Sequence, residues 1–144
     1  MEYVYKLTSE LTGKEIQDTL FVLNATFGDW GDESFFQWKY SENPYGDSLH
    51  VIGYDEGLPA AAMSFWRNDL DELRAYNCAD LAVLPSHHRR GIFRQTEAGC
   101  IERLEGAYIY NIFSNDDSLA GFFRFGWTVQ RQAALRFHLA ASVL

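Results

Sequence analysis

Apolar residues follow two different periods along this chain, and the switches between them outline its elements. Tyr3, Val4, Tyr5 and Leu7 alternate loosely over residues 2–8 and predict a short first strand. From Gly13 to Phe27 the apolar positions Ile16, Leu20, Leu23 and Phe27 are spaced four, three and four apart, which predicts a helix. Asp32 is placed to cap a second helix through 34–40, and Asn43-Pro44-Tyr45-Gly46-Asp47 reads as a turn. Residues 48–54 and 59–66 predict a hairpin around Asp55-Glu56-Gly57. After a polar loop at 68–72 come a strand at 73–84, a helix at 91–105 with Phe93, Thr96, Cys100 and Leu104 on one face, and a strand at 107–113. A short helix at 116–125, stopped by Gly126, precedes two strands within 127–142, of which 134–141 is the clearer.

The order β-α-α-β-β-β-α-β-α-β-β predicts an α/β fold with a mixed central sheet and helices on both faces. No repeat, linker or low-complexity tract interrupts the 144 residues, so a single domain over 1–144 is expected, large enough to bury a core. A hydrophobic content of 47% agrees with that.

The formal charge of −8 argues against nucleic acid or an anionic membrane as partner and is compatible with a cationic acceptor such as an amine. Cys78 and Cys100 have neither disulfide-framework nor zinc spacing and read as buried thiols in a reducing compartment. With no basic, apolar leader pattern and no apolar run near the ~18 residues a bilayer requires, the expectation is a cytoplasmic protein. Adjacent His87 and His88 diverge in a loop and have no third ligand at zinc spacing, so no metal is expected.

The densest chemistry lies at residues 81–93, Leu-Ala-Val-Leu-Pro-Ser-His-His-Arg-Arg-Gly-Ile-Phe. An apolar strand ends at a proline, four nitrogen-rich side chains follow after Ser86, and a glycine opens a helix. Free N–H groups and the dipole at that helix start suit a pyrophosphate. The amides of Arg89 to Phe93, including Gly91 and Ile92, are the candidate cradle, with the guanidinium of Arg89 or Arg90 adding charge.

Two local patterns make the chain resemble the GNAT family of acyl-CoA N-acyltransferases. The first is the acyl-CoA loop, V-x-P, two residues, Arg or Gln, two residues, Gly. Val83, Pro85 and Gly91 fit it, His88 stands where Arg or Gln is usual, and Phe93 replaces a small residue. The second is Asn115-x-x-Ser118-x-x-x-Phe122-x-Arg124-x-Gly126-Trp127, which matches a family segment in spacing at every position, with Phe122 replacing the tyrosine that often protonates the departing thiolate.

The resemblance implies a GNAT-like fold and transfer of an acetyl group from acetyl-CoA to an amine by direct attack in a ternary complex. Leu81, Ala82 and Val83 would line the pantetheine arm as an added strand does, with an N–H of Leu81 or Val83 on the developing oxyanion, a contribution of ~3 kcal/mol. His88, Arg89, Arg90, Gly91, Ile92 and Phe93 would hold the pyrophosphate. Asn115, Ser118 and Phe122 would lie along pantetheine and the sulfur, with Ser118 a substitute proton donor. The acceptor would be a small-molecule or peptide amine, and a homodimer is compatible with the pattern.

The attacking amine must lose a proton. Asp80 is the best-placed carboxylate in sequence, but strand alternation puts it and Leu81 on opposite sides. Glu33 and Glu72 are remoter candidates. Cys78, with no histidine partner, reads as core rather than nucleophile. The aromatic run Phe35-Phe36-Gln37-Trp38-Lys39-Tyr40 is either a packed helix or an acceptor pocket. With Phe122 and no clear base, the alternative from a different class is a non-catalytic acyl-CoA binding or sensing module.

Overall fold

The computed structural model describes residues 1–112 and 116–129. They fall in two compact units, Met1–Ser114 and Asn115–Leu144, each described by itself. The first holds β1 (Glu2–Leu7), α1 (Gly13–Phe27), α2 (Glu33–Phe36), β2 (Leu49–Asp55), β3 (Leu58–Arg67), β4 (Ala75–Val83), α3 (Ile92–Arg103) and β5 (Tyr108–Tyr110). In the second, α4 spans Asp116–Arg124. The strands predicted within 127–142 lie largely outside the described residues, and 127–129 carry no regular structure.

The sheet runs in sequence order, β1-β2-β3-β4-β5. Its first four strands are antiparallel, and β5 is parallel to β4 across Ala75–Asn77. The β2–β3 hairpin closes on a two-residue turn, with Asp55 opposite Leu58. Glu56 (φ 51°) and Gly57 (φ 79°) both adopt the left-handed conformation, the geometry whose twist matches that of paired strands.

Helices cover both faces. On one, Val22 and Leu23 of α1 pack on Ala62 and Ala82, while Phe36 and Tyr40 pack on the His50 ring. On the other, α3 packs over β2 and β3 and is tied to β1, where the Tyr3 hydroxyl donates to Gln95 Oε1 (2.7 Å) and the Tyr5 hydroxyl to the Gln95 carbonyl (3.3 Å).

Several features differ from the sequence expectation; the strand expected at 107–113 is only Tyr108–Tyr110. Phe27 is 50% exposed, and the buried face of α1 is instead Thr19, Leu20, Val22 and Leu23. It sits in the last turn, after which Gly28 redirects the chain toward Trp30. The second helix begins as predicted, with the Asp32 side chain accepting from Phe35 N–H (2.9 Å), but after Phe36 it widens into a π turn over Gln37–Ser41. The strand predicted at 73–84 spans Ala75–Val83 and is bent by a bulge.

At the start of α1, Thr12 Oγ1 accepts from Glu15 N–H (3.3 Å) and the Glu15 carboxylate accepts from Thr12 N–H (2.8 Å), a reciprocal cap. Thr12→Ala should cost ~1 kcal/mol of unfolding free energy, read as a lower urea midpoint at unchanged slope.

Candidate functional site

The site is organised by the bulge in β4. Ala62 pairs with Ala82 and Ser64 with Ala79, so Met63 alone opposes both Asp80 and Leu81. Asp80 takes a left-handed φ of 50°, the local kink of such a bulge. This removes the objection from strand alternation, because the extra residue breaks the period-two rule at the very pair in question.

On its other edge β4 is paired with β5 only as far as Asn77. Asn111 Nδ2 donates to the Cys78 carbonyl (2.7 Å), and from Ala79 to Val83 the edge has no strand partner among the described residues. A strand edge with free backbone groups is a template for an extended, amide-bearing ligand.

Beyond that edge, Pro85–His87 form a short 3₁₀ turn that leads into the helix opening. Arg89 (φ 63°) and Gly91 (φ 73°) are both left-handed, the backbone form from which anion-binding concavities are built. The α3 amides that follow have no preceding helical carbonyl to bond. His88 Nε2 lies 2.8 Å from the Val83 carbonyl, so its ring fastens the loop to the strand end. Arg90 is ion-paired with Asp55 (2.8 Å), which also contacts His87 (3.0 Å). Arg90, helped by His87, holds the Asp55 carboxyl below the usual carboxylate range despite the upward push of desolvation. Arg89 is exposed, with no side-chain partner among the described residues. Of the two arginines, Arg89 is therefore the one free to meet an anion.

Asp80 is heavily engaged. Its Oδ1 accepts from Trp30 Nε1 (3.1 Å); its Oδ2 accepts from Lys39 Nζ (2.6 Å) and from the Tyr40 hydroxyl. Lys39 and Tyr40 are neighbours in the π turn, and both reach one oxygen. The Lys39 ammonium lies 5.4 Å from the Trp30 ring, 5.3 Å from Tyr40 and 5.9 Å from Trp66, within cation–π range of each.

Behind Tyr40 a buried polar chain crosses the sheet face. Thr8 Oγ1 meets His50 Nε2 (3.0 Å), His50 Nδ1 meets Ser64 Oγ (2.9 Å), and the Tyr40 ring packs edge-on against His50. The ionised Asp80 carboxylate can only accept, so Tyr40 donates to it. Thr8 Oγ1 donates to the Ser48 carbonyl (3.4 Å) and accepts from Ser48 N–H (3.1 Å). Burial, then the Asp80 charge, pushes the Tyr40 phenol well above its ordinary range, and burial pushes His50 down to about 3. Both are neutral at physiological pH.

Other candidates are placed as follows. Leu81 and Val83 are half-buried and Ala82 is buried against α1. Ile92 is buried and Phe93 half-buried at the start of α3. In α4, Phe122 is buried with its ring 4.8 Å from Trp127, and Ser118 is half-buried. Asn115 lies outside the described residues. Glu33 is exposed and bonded to Gln17, and Glu72 is exposed in the loop before β4. Burial raises both the Cys78 and Cys100 thiols, the latter to about 12, so neither is a nucleophile. Among the described residues no His, Cys, Asp and Glu group could hold a metal, and no helix is long and apolar enough to cross a membrane.

Sequence reasoning did not find Lys39, Trp30 or the His50 chain. The one advance signal was the aromatic run at 35–40, of which Phe35, Trp38 and Lys39 line a cleft of about 370 Å³ with Glu42, Asn43, Pro44 and Trp66.

A sheet in sequential order, a bulged fourth strand splayed from the fifth, and a helix opening just past the splay define the acyl-CoA N-acyltransferase, or GNAT, fold. Solved structures agree. The aminoglycoside acetyltransferase AAC(6')-Iy, seen with a coenzyme A bisubstrate analogue, superposes at TM-score 0.70 with 10% identity, covering 97% of this chain and 100% of its own. An acyl-CoA N-acyltransferase from Pseudomonas aeruginosa gives 0.69 and 17% identity over 94% of this chain and 91% of its own. Glucosamine-6-phosphate N-acetyltransferase from Arabidopsis thaliana gives 0.66 and 12% over 95% and 99%. No protein-family model and no curated protein matches the chain in sequence.

A histidine neutral in the fold and protonated when unfolded makes stability depend on pH. Its folded pKa lies below its unfolded one, so the unfolded state binds more protons between about pH 3 and 6.5 and stability rises with pH across that window. The expected slope from His50 approaches ~1.4 kcal/mol per pH unit. His50→Gln should remove that share of the slope, measured by urea unfolding from pH 4 to 7.

Proposed function

We propose that this chain is a GNAT-family N-acyltransferase that moves an acetyl or related acyl group from acyl-CoA to an amine. The observation that carries the reading is the continuity between the β4 edge at 79–83, without a strand partner among the described residues, and the helix opening at 89–93. An extended amide arm ending in a pyrophosphate matches both parts, the arm adding to the edge and the pyrophosphate meeting the α3 amides. Leu81, displaced from the β3 register by the bulge, is the N–H we assign to the thioester oxygen, with Val83 as the second. Arg89 adds a cation at the pyrophosphate, while His88 and Arg90 hold the loop in shape through Val83 and Asp55.

In the reaction, the amine nitrogen attacks the acyl carbon, the C–S bond breaks, and coenzyme A leaves as thiolate. A thiolate with pKa near ~8.5 departs with little help at neutral pH, so a phenylalanine at 122 is no bar to turnover. Ser118 is the hydroxyl the family pattern offers as donor. We assign Asp80 to the acceptor: it anchors the ammonium and is the nearest acceptor for the proton lost on attack. A reducing, cytoplasmic setting fits the two unpaired, buried thiols.

The second reading, an acyl-CoA binding or sensing module, is favoured by one feature: Lys39 already holds the carboxylate that would serve as base. Release of thiol from acetyl-CoA against a broad amine panel separates the two, since a module binds without turnover.

Calorimetry should find coenzyme A binding. Gly91→Glu, which puts a carboxylate and a strained left-handed side chain at the cradle, should weaken it at least tenfold; Arg89→Ala should weaken it about threefold, a loss that grows as salt is lowered. Binding unaffected by either variant would overturn the reading. With an amine that turns over, Asp80→Asn should lower the rate most at low pH, and an unchanged pH profile would remove Asp80 from proton transfer.

A further inference from the structure

The surroundings of Lys39 are those of a ligand. Its ammonium has a carboxylate at 2.6 Å and the rings of Trp30, Tyr40 and Trp66 within 6 Å. One anion and several aromatic faces are the means by which proteins bind an alkyl ammonium. We propose that this cage is the binding site for the terminal ammonium of a linear alkyl primary amine, and that Lys39 occupies it only until such an amine displaces it. That the bound amine is the acyl acceptor rests on the reading above; the ammonium site itself rests on the cage.

Four further observations support displacement over a fixed ion pair. Lys39 is carried on the π turn at Gln37–Ser41, a register that reverts to α-helix by giving up one inserted residue, which would swing the side chain away. The cage adjoins the open cleft at Phe35, Trp38, Pro44 and Trp66, whose apolar walls suit a methylene chain. Glu42, at the same cleft, supplies a second anion at a distance from Asp80, as a diamine would need. The Trp30 and Tyr40 donors to Asp80 are independent of Lys39, so the Asp80 anion keeps that support when the lysine leaves.

The test is chemical replacement of the lysine. In Lys39→Ala, n-butylammonium should bind with a change in tryptophan fluorescence, at least tenfold more tightly than in the wild type. Tetramethylammonium, which has no N–H for Asp80, should bind at least tenfold more weakly than n-butylammonium. Adding Asp80→Asn to Lys39→Ala should abolish the gain. If Lys39→Ala is unfolded alone, millimolar n-butylammonium should restore its circular dichroism. No binding and no rescue, or binding indifferent to Asp80→Asn, would overturn the proposal. 1,4-Diaminobutane against a blocked lysine amide then separates a free diamine from a lysyl side chain as the natural source. Coenzyme A is titrated into the same samples. Its failure to bind, with the ammonium site intact, counts against acyl transfer alone; its binding, with no ammonium site, counts against the cage alone.

Discussion

A half-buried negative charge at the bend of a strand is what the rest of this structure accommodates. Asp80 has a side chain 13% exposed, and its Lys39 partner 17%. Removing such a charge from water costs several kcal/mol unless partners restore what is lost. Three donors do so here, each hydrogen bond to a charged group being worth about 1.5–3 kcal/mol. Those donors come from the segment after α1 and from the π turn after α2, so the charge dictates how two separate stretches of chain fold over the sheet.

The bulge that positions Asp80 also shapes the other side of β4. An extra residue between Ala79 and Ala82 shifts Leu81 out of register with β3, and pairing with β5 ends at Asn77, which leaves backbone groups open. The anionic pocket and the open edge are therefore reached from adjacent residues on one strand. That adjacency is what acyl transfer between an amine and an extended thioester requires.

Much of this was legible in sequence, for identifiable reasons. The four-three-four spacing in α1, the turn residues at Glu56-Gly57 and the Gly91 helix opening act locally, and each sat within a few residues of its expected place. The bulge was not legible, because Ala75–Val83 reads as one unbroken strand and nothing local marks Asp80 as left-handed. The His50 row was invisible for a different reason: Thr8, His50, Ser64 and Tyr40 meet only through sheet register and helix packing across long separations. Lys39 sits within the aromatic run at 35–40, and nothing local pairs it with Asp80, forty-one residues on. The partition between Arg89 and Arg90 likewise depended on Asp55, thirty-five residues away from Arg90.

The proposed cradle for acyl-CoA joins the β4 edge to the start of α3. Hydrogen–deuterium exchange with and without coenzyme A tests it most directly, because exchange reads the backbone amides that would bind. Protection should appear at 79–83 and 89–93 together, and α1 should be unchanged. Exchange unaltered over both segments at saturating coenzyme A, or protection confined to α1 and the β2–β3 hairpin, would rule the cradle out.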